Sequence, residues 1–225
     1  VNTDINLIKT LSTLFSIGCL CSTMTYAQEI DCSRPNTSSM KNICAEDFLE
    51  SREKLSNHYI TAFLVSDAPV HLLEDTHTLW FKRLQQCKSL DCYKQQFELR
   101  IEDLNFYTSL NQSLTNHYLK FENGKIASQP VHLQIHQLTK DKIKIEGIAY
   151  RNPNNKLETQ TIPFLAYTTT EKKDEIIDNE HDCKYQFNFN KAILSVKTKQ
   201  KGCERFVGLY RIYDKKIYKS RASRS

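Results

Sequence analysis

Residues 72–97 read LLEDTHTLWFKRLQQCKSLDCYKQQF. Leu72, Leu73, Thr76, Leu79, Trp80, Arg83, Leu84 and Cys87 recur three and four residues apart, the spacing of one helix face. A short polar stretch at 88–91 interrupts the pattern. Tyr93, Phe97, Ile101, Leu104 and Tyr107 then resume it, so two helices meet at a turn flanked by Cys87 and Cys92. Upstream, Met40, Ile43, Cys44 and Phe48 keep the same period, as do Phe48, Leu55, Tyr59 and Phe63. Ser66-Asp67-Ala68-Pro69 breaks the two runs, with a residue to cap the next helix and a proline suited to its first turn. These apolar positions predict the core of a small helical module.

Beyond residue 122 the period changes. Val131, Leu133 and Ile135 alternate with His132, Gln134 and His136, and Ile143, Ile145 and Ile148 form a second run. Further short apolar segments lie at 162–170, 185–189, 193–196 and 206–213. Turn signals separate them: Asn123-Gly124, Asn152-Pro153-Asn154-Asn155 and Lys201-Gly202. Five to seven strands with no helix between them predict an antiparallel sheet or small barrel. Residues 171–182 read as a charged loop, and Gly208 as a bulge or close backbone approach. The fold class expected is α+β, a disulfide-clamped helical domain at 28–122 followed by an antiparallel β domain at 123–225 with a basic tail. Charge divides at the same place. Residues 28–122 hold fourteen acidic and ten basic side chains, net −4. Asp4 and Lys9 cancel ahead of them, so a total of +5 leaves +9 on residues 123–225.

The chain of 225 residues has a mean hydropathy of −0.54 and no apolar run long enough for a membrane span beyond residue 30. Its first 27 residues read as a secretory signal peptide: a short polar start, an uncharged apolar stretch at 10–21, and Thr25-Tyr26-Ala27 ahead of a cleavage. Ser16-Ile17-Gly18-Cys19 is a poor lipobox, which makes lipidation at Cys19 the lesser alternative. Periplasmic or secreted protein is expected, and export changes the meaning of the eight cysteines. Six remain after removal of Cys19 and Cys21: Cys32, Cys44, Cys87, Cys92, Cys183 and Cys203. An even number in an exported chain reads as disulfides. Fifteen connectivities are open, and pairing of sequence neighbours is the simplest.

Several function classes are excluded. The five glycines are too dispersed for GxGxxG or a P-loop. There is no GxSxG, HExxH or CxxC. His181-Asp182-Cys183 is a triplet whose neighbours point to opposite faces of a strand. His132 and His136 share a strand face but have no third ligand nearby, so no metal is expected. Neither an enzyme nor a cofactor is indicated, and nucleic acid is an unsuitable partner for an exported chain. Lys215, Lys216, Lys219 and Arg221 in the basic tail suit an anionic envelope polymer or lipid headgroup.

Asp31-Cys32, Ile43-Cys44, Leu49, Leu55, Tyr59, Trp80, Arg83, Cys87, Cys92, Tyr93 and Arg100-Ile101 carry a further signal. In this order and spacing residues 31–107 resemble the LprI-like lysozyme-inhibitor domain family. The resemblance implies a helical domain that binds and inhibits lysozyme-like muramidases. The sequence departs from the family pattern at Met40, Arg52, Leu84 and His77, where Glu, Asp, Asp and Gln are usual. Kept cysteines and apolar residues with changed polar ones favour the fold over the activity, so a non-inhibitory periplasmic interaction or scaffolding module is the alternative. The candidate binding residues are Glu46, Asp47 and Glu50, an acidic cluster suited to a cationic enzyme, with Trp80 as an anchor and Arg83 as a carboxylate holder. The blander roles are a solvated helix start for the acids, a core position for Trp80 and an internal ion pair or helix-end contact for Arg83.

The intact mass of exported protein is expected to begin at Gln28. A diacylglycerol adduct on Cys19 would replace this reading with the lipoprotein one.

Overall fold

Thr37 starts the helical module by accepting the amide hydrogen of Met40 on its hydroxyl, 3.1 Å away, which satisfies one of the free donors at a helix start. The computed structural model describes residues 30–155, 159–172 and 175–213. The N-terminal segment at 1–27, with Cys19, and the basic tail around 215–221 lie outside the described residues. α1 (Ser38–Ile43) ends at Cys44, and a 3-10 turn, Glu46–Phe48, leads into α2 (Leu49–Val65). α3 (Val70–Leu84) follows Pro69, whose carbonyl accepts from Leu72 at 2.9 Å. α4 (Leu90–Ser109) is capped by Ser89, which accepts from the Cys92 amide.

The helices pack their apolar faces together. Ile43, Phe48, Leu72, Leu73, Leu84, Phe97 and Tyr107 are essentially inaccessible to water. Phe48 stacks on Phe97 and meets Tyr93 edge-on. One position departs from the expected face: Ala62 is buried at the end of α2, and Phe63 is 37% exposed. Continuing four residues at a time from Leu55 and Tyr59 leads to Phe63, yet the helix turns Ala62 toward its neighbours instead. A small side chain there lets α2 lie close.

The β half consists of β1 (Thr115–Glu122), β2 (Lys125–Ile126), β3 (Val131–Gln137), β4 (Lys142–Tyr150), β5 (Thr161–Thr169), β6 (Ile176–Ile177), β7 (Lys184–Asn190), β8 (Ile193–Lys197) and β9 (Gly208–Tyr213). Every pairing is antiparallel, in the order β5-β4-β3-β1-β9-β8-β7-β6, with β2 folded back on β1. Asn123 and Gly124 both take positive φ, 52° and 76°, in the turn between β1 and β2, the backbone a tight two-residue hairpin requires. The chain passes from helix to strand at 110–114, so β1 lies wholly before the division expected after residue 122, yet sits in the sheet between β3 and β9.

The sheet curls into a nearly closed barrel. Its two end strands meet where the Asn179 amide donates to the Leu165 carbonyl at 2.7 Å and the Leu165 amide donates to the Asp178 carboxylate at 3.1 Å. Asp178 is 1% exposed, and also accepts from the Glu180 amide and bonds the His181 ring. The stretch at 171–182 is therefore more than a charged loop: it contains β6 and a buried carboxylate that stands in for ladder bonds at the seam. Acidic residues among lysines read as solvated, which hides this role from the sequence. Leu133, Ile145, Phe164, Phe187, Leu194, Phe206 and Tyr210 fill the barrel.

Among the described residues three disulfides clamp the chain: Cys32–Cys44, Cys87–Cys92 and Cys183–Cys203, with Cα separations of 5.5, 5.5 and 5.8 Å. They are the sequence-neighbour pairs. The first ties the entry segment to the end of α1, the second holds the corner between α3 and α4, and the third joins the start of β7 to the segment before β9. Closing the longest loop restricts the unfolded chain most, by about 3 kcal/mol. Among the described residues no helix is long and apolar enough to cross a membrane.

Gly147 faces into the barrel. A Cβ there would lie 2.5 Å from Leu133 Cδ2 and 3.2 Å from both the His132 carbonyl oxygen and Phe164 Cβ. Gly147→Ala is expected to destabilise by about 1–3 kcal/mol through overpacking. Urea unfolding with the disulfides intact should show a lower midpoint with an unchanged slope.

Candidate functional site

The acidic cluster lies on a rigid corner. Glu46 and Asp47 open the 3-10 turn, Glu50 is in the first turn of α2, and all three are exposed. Phe48 between them is buried and fixes the turn to the helical core. Arg52 donates from Nη1 to the carbonyls of Ile43 and Ala45, the latter at 3.0 Å, closing the otherwise open end of α1. Cys44 adds the disulfide. The three carboxylates thus project from backbone held at both ends.

Trp80 and Arg83 are elsewhere. Trp80 is buried at 6% exposure, donates from Nε1 to the Gln96 carbonyl at 2.7 Å and meets Phe97 edge-on. Arg83 is 5% exposed, with Nη1 donating to the Arg151 carbonyl at 2.7 Å and its guanidinium 4.8 Å above the Tyr150 ring. Neither side chain is brought near the acidic corner's exposed face. Both belong to the seam where α3 and α4 cover the outer surface of the barrel.

That seam holds most of the buried polar side chains among the described residues, Asp178 at the barrel closure being one that lies elsewhere. His132 and Gln134, which alternate with apolar residues on β3, are buried at 4% and 6% exposure. The alternate face of β3 therefore meets helix rather than water. The Gln112 amide nitrogen donates to the Tyr107 carbonyl at 3.1 Å, which turns its oxygen toward His117 Nε2, 2.7 Å away. His117 Nε2 consequently donates, and His117 Nδ1 accepts from His132 Nε2 at 3.0 Å. The Tyr107 ring stacks on His132 and tilts against His117. Arg100 pairs with Asp103 and also donates to Thr76 Oγ1 and the Leu73 carbonyl. The Tyr213 hydroxyl donates to Asp75 at 2.6 Å. At the far end Gln96 donates to Gln160, and Asn154 bridges the Gln86 carbonyl and the Lys88 amide.

Arg100 and Asp103 escaped sequence reasoning as a buried pair. The signal was present: two opposite charges three residues apart on the face shared with Phe97, Ile101, Leu104 and Tyr107. His117 carried no such signal, because its partners come from a loop and a neighbouring strand. Among the described residues, no three or more His, Cys, Asp or Glu side chains are grouped to hold a metal ion.

The positions that depart from the LprI-like pattern have structural roles of their own. Met40 and Leu84 are core residues, and His77 packs against the rings of Tyr59 and Trp80, 4.9 Å from each. Arg52 closes α1. Comparison of the chain with protein-family models, curated proteins and solved structures found no match.

Burial pushes the His132 imidazole down to about 4 from the usual 6.5, because the charged form loses its water. The folded state keeps the ring neutral while the unfolded chain takes up a proton near 6.5. Stability is therefore full above that pH and falls as the pH drops from 6.5 to about 4, by about 3 kcal/mol in all. His132→Gln keeps a donor toward His117 without titrating. Urea midpoints measured across this range should fall less steeply for the variant than for the parent.

Proposed function

We propose that this is an exported envelope protein that binds lysozyme-like muramidases and inhibits them by occlusion. The observation that carries the reading is the exposed cluster Glu46, Asp47 and Glu50 on a corner pinned by Cys32–Cys44, Phe48 and Arg52. A rigid negative surface steers a cationic enzyme and loses little conformational entropy on docking. Inhibition then needs no chemistry, since a folded body seated over a substrate cleft excludes the polymer. The three disulfides suit an extracellular or periplasmic location. Resemblance of residues 31–107 to the LprI-like domain supplies the enzyme class.

The second reading is a periplasmic interaction or scaffolding module without inhibitory activity. It draws on the corner between α2 and α3, where Ile60, Phe63, Leu64, Val65 and Val70 are exposed together, Leu64 and Val65 at 73% each. Apolar surface of this kind favours a protein partner that charge steering does not require.

The full mature chain, wild-type and Glu46→Lys/Asp47→Lys/Glu50→Lys, separates the two in a muramidase inhibition assay with association kinetics. The variant is expected to associate on the order of tenfold more slowly at low salt, with dissociation little changed and the difference shrinking as salt rises. Equal inhibition by both proteins at every salt concentration would reduce the acidic corner to a solvated helix start. No inhibition by the parent leaves the scaffold reading in its place.

A further inference from the structure

Among the described residues the seam contains two buried guanidinium groups, of which one has a counter-ion there. Arg100 is neutralised by Asp103. Arg83, delivered by the last turn of α3, has no carboxylate partner among the described residues. It spends one terminal nitrogen on the Arg151 carbonyl and its π face on Tyr150. Nε and the other terminal nitrogen have no hydrogen-bond partner among the described residues. A buried charge in this state is costly, and buried donors are almost always satisfied in folded proteins.

Arg83 lines a cavity between the helices and the outer face of the barrel, together with Trp80, Arg100, Asp103, His132 and Tyr150. Its free space of about 20 Å³ suits one water or one ion of similar size. The charges around it sum to one positive: Arg83 and Arg100 against Asp103, with His132 neutral at pH 7. Burial lowers the Arg83 guanidinium only to about 10, so it stays charged at neutral pH. Thr76, whose hydroxyl is engaged by the Leu72 carbonyl and Arg100, and apolar side chains complete the walls. Such surroundings disfavour strongly hydrated or doubly charged anions. A water molecule would satisfy the free N–H groups and leave the charge, whereas a small anion satisfies both.

We infer that the cavity between the helical module and the barrel binds one small monovalent anion, a halide or a carboxylate group, on the free N–H edge of Arg83. This stands independently of the muramidase reading. The anion completes the seam, so its occupancy couples the packing of α3 on β4 to the ionic medium.

Bromide is the probe, read by the broadening of its quadrupolar NMR line on titration with the full mature chain at fixed ionic strength. Saturable broadening is expected, with competition by sodium formate. Arg83→Met should lose about tenfold or more in bromide affinity, and Arg83→Lys, which keeps the charge on a single point, should retain weaker broadening. Competition in the unaltered chain needs no variant, so the inference remains testable if Arg83→Met fails to fold. Formate competing better than chloride assigns the site to the carboxylate end of an organic acid, and the reverse order to a free halide. Broadening that does not saturate, that formate leaves untouched, or that Arg83→Met retains in full would mean the cavity holds water alone, and would overturn the inference.

Discussion

β1 belongs to two cores at once. Tyr118 points into the barrel, while Leu119 beside it points out into the helical core with Tyr213 of the neighbouring strand. Successive side chains on a strand alternate between faces, and here both faces of β3 from Val131 to Ile135 and of β1 from His117 to Leu119 are covered. The helical module is accordingly no separate bundle tethered to a barrel: its core is finished by Leu119, Tyr213, Phe121 and Ile126. Slipping β1 by one residue would exchange the two sets and undo both cores.

The polar groups of the seam follow from this sharing. An outer barrel face normally carries water-satisfied side chains, and covering it with helices removes that water. His117, His132, Gln112, Gln134, Arg100 and Asp103 then find their partners across the seam or become costly. The imidazole pair is satisfied by a directional chain that begins at the Tyr107 carbonyl. Arg100 is neutralised by a carboxylate one turn along its own helix and bonds through both terminal nitrogens, with its Nε left without a partner among the described residues. Arg83 is the member whose charge no described residue compensates, at the point where a cavity remains.

The exposed acidic corner is built by the opposite means. Its side chains face water, and its order comes from what lies beneath: a buried phenylalanine, an arginine on two carbonyls and a disulfide. Rigidity without burial is what a docking surface needs, because little is lost on ordering it. The seam groups hold the halves together, Asp178 closes the barrel, and the acidic corner is displayed to the medium.

Helical period in 72–107, period two in 131–135, the Asn123-Gly124 turn and an even set of cysteines determined the fold class, since each is a local consequence of residue type and spacing, whereas which cysteines pair was left open. The core position of Trp80 was legible from the apolar face it shares with Leu72, Leu73 and Leu84. Closure of the barrel was not, because it depends on Asp178 replacing ladder bonds within a stretch that reads as charged. Nor was the seam: alternation on β3 marks two faces but cannot say that both are covered. His132, Arg83 and the Arg100–Asp103 pair acquire their character from burial against elements distant in the chain, and burial of that kind exists only once the tertiary structure has formed.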